Sequence, residues 1–164
     1  MDLVPDANTL IYLAKADLLE LLEDHDTWVN GKIYRETVVK GKEKGFSDSF
    51  ILEKHIEEKI NRIQIDQERF ENEKDYFGAP GETEVYIIAS SKDCTAVTSD
   101  QAALNKMKRK NVETIRTDML LLKNFKQERI SQRELREKLG KLRTVNGTTE
   151  SRMNFILQKS DEIQ

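Results

Sequence analysis

The spacing of apolar positions changes several times along the chain. Leu3-Val4 is a two-residue apolar stub, and Pro5 biases Val4 toward extended backbone, so a brief buried strand ending at Asp6 is expected. Leu10, Ile11, Leu13 and Ala14 then recur at helical spacing, with Asn8 or Thr9 as the cap. Leu18, Leu19, Leu21 and Leu22 form the apolar side of a second helical run begun at Asp17. Thr27-Trp28-Val29 predicts a short second strand, and Gly31 marks a turn after it. Ile33, Tyr34, Thr37 and Val38 return to helical spacing and place Glu36 in the first turns of a helix. Ser47 is expected to cap an amphipathic helix with Phe50, Ile51, Ile56 and Ile60 as its apolar positions. Arg62-Ile63-Gln64-Ile65 alternates polar and apolar as an edge strand does, and a charged stretch follows from Asp66 to Tyr76.

Gly78-Ala79-Pro80-Gly81 is a clear break, and the pattern is sharpest after it. Glu82 and Glu84 open a helix whose inner side is Val85, Ile88 and Ala89. Thr95-Ala96-Val97-Thr98 is a β-branched strand with Ser99-Asp100 at its end, and the helix from Gln101 carries Ala103, Leu104 and Met107. Val112 to Ile115 predicts a last strand, after which Thr117-Asp118 caps a helix with Met119, Leu121, Leu122 and Phe125. Helix alternating with strand argues for an α/β fold on a parallel sheet. From Ser131 the character shifts to a basic helix with few large apolar residues, interrupted at Gly140. The turn VNGTTE and a final helix over about Ser151 to Lys159 follow. This reading divides the chain into a domain over 1–130 and a helical C-terminal extension over 131–164.

Composition narrows the classes. A chain of 164 residues with 37% hydrophobic and 35% charged side chains suits one domain with long solvated helix faces. The net charge of −3 carries no global nucleic-acid signature, so any such contact rests on local patches. Lys106, Lys108, Arg109 and Lys110 form one basic cluster, read either as a solvated face or as a track for an RNA backbone. Arg129, Arg133, Arg136, Lys138, Lys141 and Arg143 form a second, equally open to both readings. The single Cys94, beside an expected strand, reads as a buried small hydrophobe and allows no internal disulfide. His25 and His55 lie in charged surroundings and are expected to be exposed. The opening residues do not form a signal peptide, no run suits a membrane span, and a soluble, cytoplasmic protein is expected.

Four acids fall where strand gives way to helix: Asp6, Glu36, Glu84 and Asp100. An open parallel sheet gathers such positions at the carboxyl ends of its strands, where ligands bind. Converging carboxylates repel one another unless a cation neutralises them, and oxygen-only donor sets suit Mg²⁺ or Mn²⁺. Taken singly, each acid has a blander reading as a helix cap.

With those residues in view, the chain resembles the PIN-domain ribonucleases, which include the VapC-type toxins. The resemblance is carried by PDANTLIYLAKADLLELL, IYRETVVKG, GETEVYIIA and AVTSDQAALNKMKRKNVETI, over about residues 2 to 127. It implies a three-layer α/β/α fold around a central parallel sheet, with an acidic pocket that binds Mg²⁺ or Mn²⁺ and cleaves RNA. Asp6, Glu36, Glu84 and Asp100 match the family's acidic positions, and the choice between Glu82 and Glu84 is open. The further Asp often found after the last acid is replaced here by Gln101-Ala102. In that scheme Asp6, Glu84 and Asp100 hold metal, Glu36 completes the set, and Asn8, Glu82 and Ser99 support it. An RNA substrate, an antitoxin or other protein partner, and a homodimer are the partners implied; no membrane is. The competing expectation is a PIN-fold RNA- or protein-binding scaffold without turnover.

Overall fold

The computed structural model describes residues 1–163. β1 (Leu3–Pro5) pairs in parallel with β4 (Thr95–Val97), which pairs in parallel with β5 (Thr114–Ile115). β2 (Trp28–Val29) pairs in parallel with β3 (Asn61–Arg62), and a parallel bridge from Leu3 to Thr27 joins the two groups. The spatial order is therefore β3-β2-β1-β4-β5. Strands this short cannot stand alone. β1 and β4 are buried throughout, as parallel strands covered on both faces should be.

Helices clothe the sheet in the expected three-layer α/β/α arrangement. α1 (Ala7–Lys15) packs against α4 (Asp48–Lys59). A 3-10 turn over Leu19–Leu22 buries Leu19, Leu21 and Leu22. α2 (Gly31–Tyr34) runs through a wide π turn at Arg35–Val39 into α3 (Lys40–Glu43). α5 (Gln67–Phe77) lies against α6 (Pro80–Lys92), which rests directly on β1, β2 and β4. α7 (Gln101–Arg109) packs by β5, and α8 (Met119–Lys126) contacts both α9 (Gln132–Thr144) and α10 (Glu150–Ile163).

Several expectations change. The charged stretch from Asp66 is helix α5, because Asp66 caps it by accepting from Glu68 N and Arg69 N and Gly78 ends it in the left-handed region. α4 buries Leu52 and Ile56 but leaves Phe50 and Ile51 exposed, and Ser47 makes no side-chain cap. α6 is buried nearly all round from Thr83 to Ala89, so it has no single inner face. Gly140 does not interrupt α9, whose Leu135, Leu139 and Leu142 are fully buried. His25 and His55 are half-buried rather than exposed, and burial lowers the pKa of both. Cys94 is buried, as expected. Leu135, Leu139, Leu142 and Ile156 of the two last helices belong to the same hydrophobic cluster as β1 and β4.

Candidate active site

A strand order of 3-2-1-4-5 reverses between β1 and β4, and in such sheets the crevice outside the strand ends at that reversal is where ligands bind. Asp6 follows β1, and Asp100 lies just beyond β4. The Asp6 N–H donates to Val97 O at 3.0 Å, which ties the two strand ends together.

Asp6, not Asn8 or Thr9, caps α1: its Oδ1 accepts from Thr9 N at 2.8 Å. Asp100 caps α7 likewise, its Oδ1 accepting from Ala103 N at 2.9 Å. Buried threonines brace them. Thr9 Oγ1 donates to Val97 O at 3.2 Å and shares a 2.8 Å hydrogen bond with Thr117 Oγ1. Thr98 Oγ1 accepts from Asp100 N at 3.1 Å. Burial pushes the Asp6 carboxyl above its ordinary range; hydrogen bonds from Thr98 and Thr9 pull it down, and the charge of Asp100 adds to the rise.

The two glutamates of α6 part company. Glu82 is half-buried and its pKa is raised by burial, lowered by Lys106, and raised by the charges of Asp100 and Asp6. Lys106 Nζ stands 3.9 Å from Glu82 Oε2 and donates to Phe77 O at 2.7 Å. Glu84, expected beside Asp6 and Asp100, points to the start of α2 instead. It is 3% exposed and its Oε1 accepts from Asn30 Nδ2 at 3.1 Å. Burial pushes it up to about 7, with Glu36 raising it further, while Lys32 and the amides of Lys32 and Ile33 pull it down. Glu84 thus lies over the start of α2, its Oε1 held by Asn30 and its Oε2 buried without a hydrogen-bond partner.

Glu36 lies in the π turn, a form that recurs at functional sites. Its carboxylate approaches Gly81, where an added Cβ would stand 3.4 Å from Glu36 Oε2. The charges of Asp6 and Asp100 are felt at Glu82, while Glu36 reaches the start of α6 and is coupled to Glu84. Among the described residues no three His, Cys, Asp or Glu side chains stand close enough together to hold a metal ion. The fit rests on the chemistry of the donor set. Burial raises the cost of ionising Asp6 and Glu82, the charge of Asp100 adds to both, and an added cation relieves that cost.

Asp6, Asn8, Tyr12, Ser99 and Asp100 line one cavity of about 260 Å³. Ser99 Oγ is buried in its wall without a partner. The opposite wall was not legible beforehand: Arg116 and the turn Asn146–Thr149 complete it. Of the expected basic cluster, Lys106 serves Glu82, and Lys110 pairs with Glu73 at 3.2 Å. Lys108 and Arg109 are exposed on α7. Asp118, expected as a cap of α8, makes no cap; it is fully buried and accepts from Arg152 Nε at 2.7 Å and Arg152 Nη2 at 2.9 Å.

No helix is long and apolar enough to cross a membrane among the described residues. Comparison with solved structures finds the crystal structure of PAE2754 from Pyrobaculum aerophilum, at 19% identity and a TM-score of 0.58, over 75% of this chain and 94% of that one. That likeness concerns the fold. Among curated proteins none matches. A family model described as a PIN domain matches residues 2–162, nearly the whole chain, and brings with it a nuclease-type fold. With its acids at the β1–β4 reversal and its sequence matched end to end by that model, the chain belongs to the PIN-domain family.

Proposed function

We propose that this chain is a Mg²⁺- or Mn²⁺-dependent endoribonuclease. The observation that supports the reading best is that Asp6 and Asp100, each fixed by its helix cap, line one cavity at the switch point of the sheet. Asp6, Asp100 and Glu82 would hold the ion, with Glu36 at the edge of the set. When bound, the metal supplies neutralisation of the phosphate and an acidified water. The chain's own residues do the rest. Capping by Thr9 N and Ala103 N fixes the direction of the two aspartates, so the site is organised before substrate arrives. Lys106 offsets the charge of Glu82 and limits repulsion of an incoming phosphate. Ser99 Oγ, unpartnered in the wall, is available to donate to a phosphate oxygen.

The test is cleavage of a mixed RNA pool with and without Mn²⁺. Wild-type protein should cut only with metal, and Asp6→Asn and Asp100→Asn should each lose activity by about 100-fold or more. Full activity in either variant would refute the assignment. A scaffold without turnover is the second reading, favoured by Gln101-Ala102 standing where a further Asp often lies. Calorimetric titration with Mn²⁺ separates the two, since the scaffold shows no binding. In the nuclease reading a protein antitoxin is the natural regulator, and the exposed Phe46, Phe50 and Ile51 offer apolar surface for it or for a second copy.

A further inference from the structure

The wall opposite the acids carries the inference, which rests on the nuclease reading above. Arg116 is the single basic residue lining the cavity that holds Asp6 and Asp100, among the described residues. Its Nη1 donates to Gln101 Oε1 at 3.2 Å, and its Nε is buried without a hydrogen-bond partner. Asp118 is the nearby carboxylate, yet Arg116 Nε stands 4.0 Å from Asp118 Oδ1, too far for a hydrogen bond.

The reason is that Asp118 is already engaged. Arg152 reaches from α10 and donates to both of its oxygens, and Thr148 Oγ1 donates to Oδ2 at 2.8 Å. One buried carboxylate thereby latches the Asn146–Thr149 turn and α10 onto the start of α8. The same latch leaves the Arg116 guanidinium with only a long 4.0 Å ion pair to Asp118, at the edge of a cavity that repels anions. A planar fork in that place suits a phosphate oxygen pair.

We propose that Arg116 grips an RNA backbone phosphate next to the reacting one, and that Arg152 is its positioning residue, keeping Asp118 from capturing it. The Asn146–Thr149 turn then forms the outer wall against which a single strand lies. A cavity of about 260 Å³ lies just below the range of about 300–1,000 Å³ typical of small-ligand sites, which fits one nucleotide unit and not a duplex.

Fluorescence anisotropy of a labelled, mixed-sequence single-stranded RNA tests this, with Asp100→Asn protein as the cleavage-silent parent and KCl varied. Adding Arg116→Ala should weaken binding about tenfold and lower the slope of log affinity against log salt by about 0.7, the loss of one phosphate contact on a single strand. Arg116→Lys should keep the slope and lose part of the affinity. Arg152→Ala should weaken binding comparably, and the double variant should lose little more, because the two residues act through one contact. Unchanged affinity and slope in Arg116→Ala, or full additivity with Arg152→Ala, would overturn the proposal. The assay reads binding without turnover, so its failure leaves the cleavage test of Asp6→Asn standing, and the reverse holds too.

Discussion

Asp6 and Asp100 show how one side chain serves two ends. Each caps a helix through Oδ1, a contribution of about 0.5–2 kcal/mol, and that same contact aims the carboxylate at the crevice. Capping therefore leaves each carboxylate free to serve the proposed ligation as well. On α6 the two glutamates divide the work, and the division is testable. Glu84 has a folded pKa of about 7 against an ordinary 4.5, so the native state holds its proton more tightly than the unfolded chain does. Stability should then fall as pH rises from 4.5 through about 7, the penalty above that window being roughly 3 kcal/mol. Glu84→Gln removes the penalty. Its melting temperature should exceed wild type at alkaline pH and converge with it in acid, with metal-dependent cleavage retained. Glu82→Gln should abolish cleavage, which Glu84→Gln does not. A Glu84→Gln protein that melts normally at alkaline pH yet cannot cut RNA would return Glu84 to the metal site. Which glutamate faces the aspartates was not legible in GETEVYIIA, because both lie in the first turns of a helix buried on nearly all sides.

At the scale of elements, the strand–acid–helix units around β1 and β4 were legible because burial on both faces leaves a near-continuous apolar run followed by a capping acid. α5 was not, since charged side chains dominate its sequence and only Phe70 and Phe77 are buried. On α4, Phe50 and Ile51 are as apolar as Ile56 yet stand in solvent, because α1 and the π turn cover only the other side of the helix. The turn after α9 matters more than its composition suggests. Asn146 takes a φ of 63°, a region asparagine tolerates, and Gly147 packs where a Cβ would meet Leu142 Cγ at 2.9 Å and Tyr12 Cβ at 3.1 Å. Gly147→Ala should therefore destabilise by about 1–3 kcal/mol and displace the outer wall. Urea denaturation gives the first figure. A rise in KM for RNA with kcat little changed reports the second effect, and an unaltered midpoint would show that the turn yields freely.

At the scale of the molecule, the C-terminal helices are not set apart from the core. Leu135, Leu139, Leu142 and Ile156 are each fully buried, in one cluster with Leu3, Val4 and Ala96. The latch from Asp118 to Arg152 adds a buried ion pair across the same junction. Leu139→Ala should cost about 2–5 kcal/mol, as expected of a core leucine, and lower the urea midpoint of the whole cooperative transition. A loss under about 1 kcal/mol, or a second transition confined to the last helices, would mean that 131–164 folds as a unit of its own.

Local pattern by itself determined the alternation of helix and strand, the parallel sheet, and the acids that end β1 and β4. Those features follow from nearest-neighbour chemistry: a buried run, a cap, a turn residue. Tertiary structure alone decided which glutamate of α6 joins the aspartates, that Asp118 pairs with Arg152 rather than capping α8, and that a turn near residue 147 walls the site. These are contacts between residues 30 or more positions apart, and they depend on how helices pack over the sheet, which no local spacing encodes.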